Sequence, residues 1–347
     1  MARTKKSAKR AKRDESEAID LTEKEAPDDA VPRYELSVEM RQGYSLNYTK
    51  WVIAKDGRQS FSDAIVFLHG WSGSGAYYKL AIDAMLREEN KQKLQAQGFG
   101  VLIALDMRGH GRNEKPDAPC HVSKLAADLQ EIFLDHCGNE DADYSSIDED
   151  EKIYFVNGKV LLVGSSMGAA VIWSLSELFG LQEGDCHMVK SIGVATRGAV
   201  FVDQAPLQYE TDGWKDGSKG MRGPDDLKAL RKVLNGSAAD FDAFADENAA
   251  ACLANKESVS PEVLAMLKAE TLKCDPYFLG ELMADHTAID WREYLELGWP
   301  ITCPVLNIAG GKSEIFPQNG VKAVADLIKA GDHPYVTHKV MENSGHW

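Results

Sequence analysis

Short, unbroken apolar runs recur along the chain, with amphipathic stretches filling the gaps between them. "AIVFLHG" (64–70), "GVLIALD" (100–106), "KVLLVG" (159–164), "GAVFVD" (198–203) and "PVLNIAG" (304–310) are such runs. Their length and continuity predict strands buried on both faces. Upstream, "LSVEM" (36–40) and "WVIAK" (51–55) alternate like half-buried strands, and "KDGR" (55–58) supplies turn chemistry after them. "VTHKVME" (336–342) is the last strand candidate. Between the runs, helical spacing predicts helices from about Gly75 to Gln97, from Val122 to Cys137 and from Met167 to about Gly180. Strands and helices alternating in this way imply βαβ crossovers and a mostly parallel sheet. In such sheets function gathers at the carboxyl ends of the strands.

Two segments interrupt the alternation. Residues 138–158 carry an acidic stretch, "NEDADYSSIDEDEK", which lacks the glycine and terminal glutamate of a calcium loop and reads as a solvated excursion. Residues 204–298 hold the helix-period stretches "DDLKALRKVL", "DFDAFADENAAACLA" and "PEVLAMLKAETL" with no buried strand between them. They read as a helical cap inserted after the sixth core strand. The expected organisation is a charged tail over 1–35, an α/β core over 36–203 and 299–347, and the cap over 204–298.

Composition sets the class. A chain of 347 residues with 44% hydrophobic content can bury a sizeable core. It has no run of 18 apolar residues, so no membrane span is expected, and no apolar stretch follows the basic N-terminus as a secretory signal would require. The net charge of −15 argues against a nucleic-acid partner for the folded part. That average hides two blocks: residues 1–13 hold seven Lys/Arg and no acid, and residues 14–29 hold eight Asp/Glu against Lys24 alone. Segregated charge without apolar residues predicts a disordered tail. The six cysteines form no CxxC pair and the nine histidines no HExxH, so neither a disulfide framework nor a metal site is expected. Reduced thiols point to the cytoplasm; the basic "KKSAKRAKR" offers a nuclear destination as the alternative.

The candidate chemistry sits at the strand ends. "VGSSMGAAV" (163–171) contains G-x-S-x-G as Gly164–Ser165–Ser166–Met167–Gly168, preceded by a strand and followed by a helix. A strand turning sharply into a helix exposes the central hydroxyl, which selects Ser166 as nucleophile and leaves Ser165 as a packing residue. A serine needs a base, and His346 in "ENSGHW" lies beyond the last strand candidate. Acyl transfer also needs two donors for a developing oxyanion; the backbone N–H groups of Met167 and of Trp71, in "HGWSGS" (69–74), are the candidates. His69 reads as a structural loop histidine.

Together, "HGWSGS", "DMRGHGRNEKP", "VGSSMGAAV" and "ENSGHW" resemble the α/β-hydrolase superfamily, in its haloperoxidase-like, esterase-like branch. The resemblance covers roughly residues 36–347. It implies an α/β-hydrolase fold: an eight-stranded, mostly parallel sheet with helices on both faces, a helical cap, and cofactor-free Ser–His–acid hydrolysis of a small-molecule ester. It further implies a structural role for Arg108. A small-molecule-binding, receptor-like protein on the same fold is the rival reading, and perhydrolase or haloperoxidase chemistry could accompany an esterase as a side activity.

Two departures from the family pattern matter. The chain stops at Trp347, where the family normally continues into a helix packed on the sheet; an uncovered apolar sheet face is therefore expected. The acid is the other. The family's G-x-x-D-x-x-x-P pattern, aligned on Gly310 and Pro317 in "GGKSEIFP", puts Ser313 where the aspartate belongs. Glu314 is one position late but has a longer side chain. Asp203 ends the strand "GAVFVD", where some superfamily members place their acid. Asp203 is preferred, because a strand end fixes a short side chain whereas Glu314 needs a loop shift.

Overall fold

The computed structural model describes residues 31–54, 63–117, 120–136, 158–181, 194–255, 257, 259–297 and 301–346. The tail to residue 30, the "KDGR" turn, the acidic stretch over 138–157, Cys137 and Cys186 lie outside the described residues.

Eight strands form one sheet: β1 (Arg33–Glu39), β2 (Ser45–Val52), β3 (Asp63–Leu68), β4 (Phe99–Leu105), β5 (Val160–Ser165), β6 (Thr196–Val202), β7 (Val305–Gly310) and β8 (Val336–Met341). Their order is β1-β2-β4-β3-β5-β6-β7-β8. The pairs β1–β2 and β2–β4 are antiparallel, and every pair from β4 onward is parallel. The unbroken apolar runs are thus the parallel, two-faced strands, and the alternating segments are the antiparallel edge, as the physics of burial requires. Two boundaries differ from expectation. β1 starts at Arg33, inside the segment read as tail, and β2 begins at Ser45 rather than Trp51, because Leu46 and Tyr48 also bury against the core.

Helices α1 (Lys79–Leu86) and α2 (Glu88–Ala96) cross from β3 to β4 after a 3-10 turn over Gly75–Tyr78. A single helix over 75–97 is therefore a misreading. Arg87 adopts φ −57°, ψ 137°, which no helix contains, and α2 is a polar surface helix with no buried residue. Helices α3 (Val122–His136) and α4 (Met167–Phe179) follow β4 and β5, and α10 (Gln318–Ala330) joins β7 to β8. One sheet face is packed by α3, α4 and α10: Val66, Ile103, Leu162, Phe201 and Val305 meet Phe133, Trp173 and Ile328 in the main core. On the other face Ile65, Phe67, Leu102 and Ala104 pack on Tyr78 and Ile82. Toward β6 and β7 that second face thins out, with Val200, Val202, Leu306 and Ile308 only half-buried and Thr337, Lys339 and Met341 of β8 exposed.

Between β6 and β7 the described residues form five helices: α5 (Pro224–Leu234), α6 (Ala238–Ala251), α7 (Pro261–Lys273), α8 (Pro276–Ala288) and α9 (Arg292–Leu297). Proline at the first position opens α5, α7 and α8, where its missing N–H costs nothing. Ser237 and Asp240 close a capping box on α6. The insertion is helical as expected, although residues 204–223 precede its first helix.

Candidate active site

Ser166 occupies the turn from β5 into α4 with φ 51° and ψ −124°, a conformation that costs a non-glycine residue of order 1–3 kcal/mol. Its neighbours hold it there. The Ser166 N–H donates to the Val202 carbonyl of β6 at 2.8 Å, and its own carbonyl accepts from Ala169 N–H at 2.8 Å. The flanking glycines are forced by close approach. A Cβ on Gly164 would lie 2.4 Å from the Gly168 carbonyl carbon, and one on Gly168 only 2.1 Å from the Leu68 carbonyl oxygen of β3. Ser165 is buried with its hydroxyl unpaired, whereas Ser166 keeps 9% of its surface accessible.

Met167 is the first residue of α4, so its N–H has no partner within the helix and sits at the positive end of the helix dipole. Trp71 lies in the loop after β3. Among the described residues neither the Trp71 nor the Met167 N–H is engaged in a backbone hydrogen bond. The loop is tied to the end of β4: Asp106 accepts from Gly75 N–H at 2.8 Å and from Arg112 Nε at 2.8 Å. His69 closes the same junction. Its Nδ1–H donates to Gly70 O at 2.7 Å while Nε2 accepts from Met107 N–H at 3.0 Å. Burial pushes this imidazole down to about 4, so it stays neutral and structural. Arg108 is likewise structural, with Nε 2.8 Å from Asp128 Oδ2 and its guanidinium 3.6 Å over the Tyr44 ring.

Asp203 follows β6 with φ 49°, its N–H anchored on Ile308 O of β7 at 2.8 Å. Its carboxylate is 1% exposed and fully occupied. Oδ1 accepts from Gly310 N–H at 2.8 Å; Oδ2 accepts from Ser313 Oγ at 2.6 Å and faces His346 Nδ1 at 2.7 Å. The loop carrying His346 lies directly on the end of β7: a Cβ on Gly310 would stand 1.9 Å from Gly345 O. His346 is itself buried, with Phe316 beside its ring at 5.9 Å between centroids.

Of the two carboxylates that the sequence offered, the structure brings Asp203 to His346, and Glu314 is exposed. Ser313 stands where the family's aspartate was sought and instead donates to Asp203. Sequence reasoning assigned it no role, although a serine aligned on an acid position was itself the signal. Among the described residues no group of three or more His, Cys, Asp or Glu side chains is placed to hold a metal ion. No helix among them is long and apolar enough to cross a membrane.

The fold is shared by solved structures at low identity. An esterase from Exiguobacterium antarcticum superposes with a TM-score of 0.64 at 17% identity, covering 90% of this chain and 92% of that one. A bromoperoxidase from Bacillus anthracis gives 0.64 at 17% identity over 90% and 93% of the two chains. An esterase from Rhodococcus gives 0.56 at 17% identity over 90% and 91%. No curated protein matches the sequence. The model of the alpha/beta hydrolase family matches residues 65–347, which spans the parallel sheet, the helical insertion and every residue of the site just described, and the chain therefore belongs to the α/β-hydrolase family.

Proposed function

We propose that the protein is a serine hydrolase that cleaves a carboxylic ester through an acyl-enzyme on Ser166. The observation that carries this reading is the buried 2.7 Å contact between His346 Nδ1 and Asp203 Oδ2, with Asp203 at the end of β6, the strand next to the one that leads into the strained Ser166 elbow. With Nδ1 turned to the carboxylate, Nε2 is the nitrogen that takes the Ser166 proton as Oγ attacks the ester carbonyl. Asp203 fixes the tautomer and stabilises the imidazolium; it does not take the proton. The oxyanion of the tetrahedral intermediate accepts from the N–H groups of Trp71 and Met167. The imidazolium then protonates the leaving alcohol. A water molecule, deprotonated by the same Nε2, releases the acid and restores the serine. No step calls for a cofactor.

Two of the similar structures are esterases by name, which supports the choice of bond; the sequence order Ser–acid–His agrees with it. The test is a series of p-nitrophenyl esters of graded acyl length, assayed with the wild type and Ser166→Ala. The reading expects turnover that the substitution lowers on the order of 10⁶-fold. Equal turnover by both proteins would contradict it.

A further inference from the structure

Helix α6 presents an apolar stripe to the rest of the protein: Phe241, Phe244, Ala245, Ala249 and Cys252 recur at the spacing of one helix face. Asn248 sits within that stripe. A polar side chain there needs a partner, and it finds one 176 residues away: its amide nitrogen lies 2.9 Å from Ser72 Oγ. Ser72 directly follows Trp71, is fully buried, and adopts φ 60°, the left-handed region that serine rarely enters.

Two of the bonds to Ser72 come from the helical insertion, beside a longer one at 3.5 Å from the Tyr77 hydroxyl to its carbonyl within the loop itself. Asn248 Nδ2 of α6 donates to the Ser72 hydroxyl oxygen, and Thr271 Oγ1 of α7 donates to its carbonyl at 3.2 Å. On the other side, the Trp71 indole N–H donates to Leu279 O of α8 at 3.0 Å, and Phe244 meets the indole edge-on at 5.8 Å between centroids. Trp71 is thus clamped through its own side chain and through the next residue, so its backbone N–H has little freedom to swing. One turn beyond Asn248, the end of α6 reaches the other half of the site. A Cβ on Gly345, beside His346, would lie 2.4 Å from Ala254 N and 2.9 Å from Cys252 O.

We propose that Asn248 is a positioning residue, which acts through Ser72 to hold the Trp71 N–H in line with the oxyanion. This rests on the esterase reading above. The insertion then does more than cover the site: it supplies the restraints that make one of the two oxyanion donors rigid. A donor that is displaced loses transition-state stabilisation while ground-state binding changes little, so the effect belongs to kcat and not to KM.

The experiment compares the full chain with Asn248→Ala, Ser72→Ala and the double variant, using p-nitrophenyl acetate turnover, the rate of fluorophosphonate labelling at Ser166, and hydrogen–deuterium exchange over residues 71–77. Lys268→Met is the control: it breaks the surface ion pairs of Lys268 with Asp242 and Asp246, which also join α7 to α6. Each single substitution is expected to lower kcat and the labelling rate by about ten- to a hundredfold with KM within about threefold, short of deleting a donor outright. The double variant should be no worse than the poorer single one, since both remove the same bond. Exchange over 71–77 should speed up in the three variants, and Lys268→Met should match the wild type throughout. Wild-type kcat in Asn248→Ala, or losses in the double variant that multiply, would overturn the proposal. If Asn248→Ala does not fold, Ser72→Ala alone decides through the same kcat and KM split. A wild type that is never labelled at Ser166 removes the esterase reading and this inference with it, whereas a labelled wild type beside an unaffected Asn248→Ala removes only the inference.

Discussion

Ser313 donates its hydroxyl proton to the same oxygen of Asp203 that faces the His346 imidazole, at 2.6 Å and 2.7 Å respectively. The residue aligned on the family's usual acid thus bonds to a carboxylate supplied by another strand. Gly310 N–H occupies the second carboxylate oxygen, so Asp203 enters the site with its orientation fixed from two sides. Three hydrogen bonds to the ionised form offset the burial of the charge.

The first prediction follows from that arrangement. Asp203→Asn should lower kcat by roughly 10⁴, the loss expected when the histidine tautomer is no longer set by a carboxylate. Glu314→Gln should change it by less than about tenfold, as its carboxylate is exposed. Steady-state kinetics on one ester decide between them, and a large loss in Glu314→Gln with activity retained in Asp203→Asn would reverse the assignment.

Gly168→Ala should destabilise the protein and disable the elbow together. Its Cβ would stand 2.1 Å from the Leu68 carbonyl, a backbone atom of the central strand β3 that has no room to yield. Overpacking of this kind costs about 1–3 kcal/mol or more. Urea denaturation should show the midpoint lowered, and the soluble fraction should label slowly with a serine-directed probe.

Acid should destabilise the fold before the carboxylates titrate. Burial pushes His69 down to about 4, His110 to about 3 and His286 to about 4. These groups are neutral when folded and take up protons on unfolding below about pH 6.5, so the unfolded state binds more protons there and stability falls as pH falls. Between pH 6.5 and 5 each contributes a loss on the order of 2 kcal/mol. Denaturation curves at pH 7 and 5 should therefore separate, and His286→Leu should narrow the gap; an unchanged gap would show that this histidine does not titrate on unfolding.

The features that could be read from the sequence are those written locally. Gly164, Ser166 and Gly168 lie within five residues, and the strand and helix beside them are strongly patterned, so the elbow was legible. The parallel strands were legible for the same reason. Long-range pairings were legible only in part. Asp203 could be preferred over Glu314 from its place at a strand end, but its contact with His346, 143 residues away, is made by the adjacency of β6 and β7 and by the seating of the His346 loop on the end of β7. Asn248 and Ser72 are joined across 176 residues by the way α6 packs on the loop after β3. The break at Arg87 was missed because α1 runs without a glycine or proline into the helix-forming residues of α2, and only the Arg87 backbone angle separates them.

The central claim is that Ser166, and no other serine, becomes covalently modified at the elbow. The direct test is to incubate the folded protein with a fluorophosphonate, measure its intact mass, and map the adduct by peptide fragmentation. The account predicts one adduct per chain, on Ser166, abolished by Ser166→Ala and slowed by Asp203→Asn. An adduct on the neighbouring Ser165, or equal labelling of the Ser166→Ala protein, would contradict it.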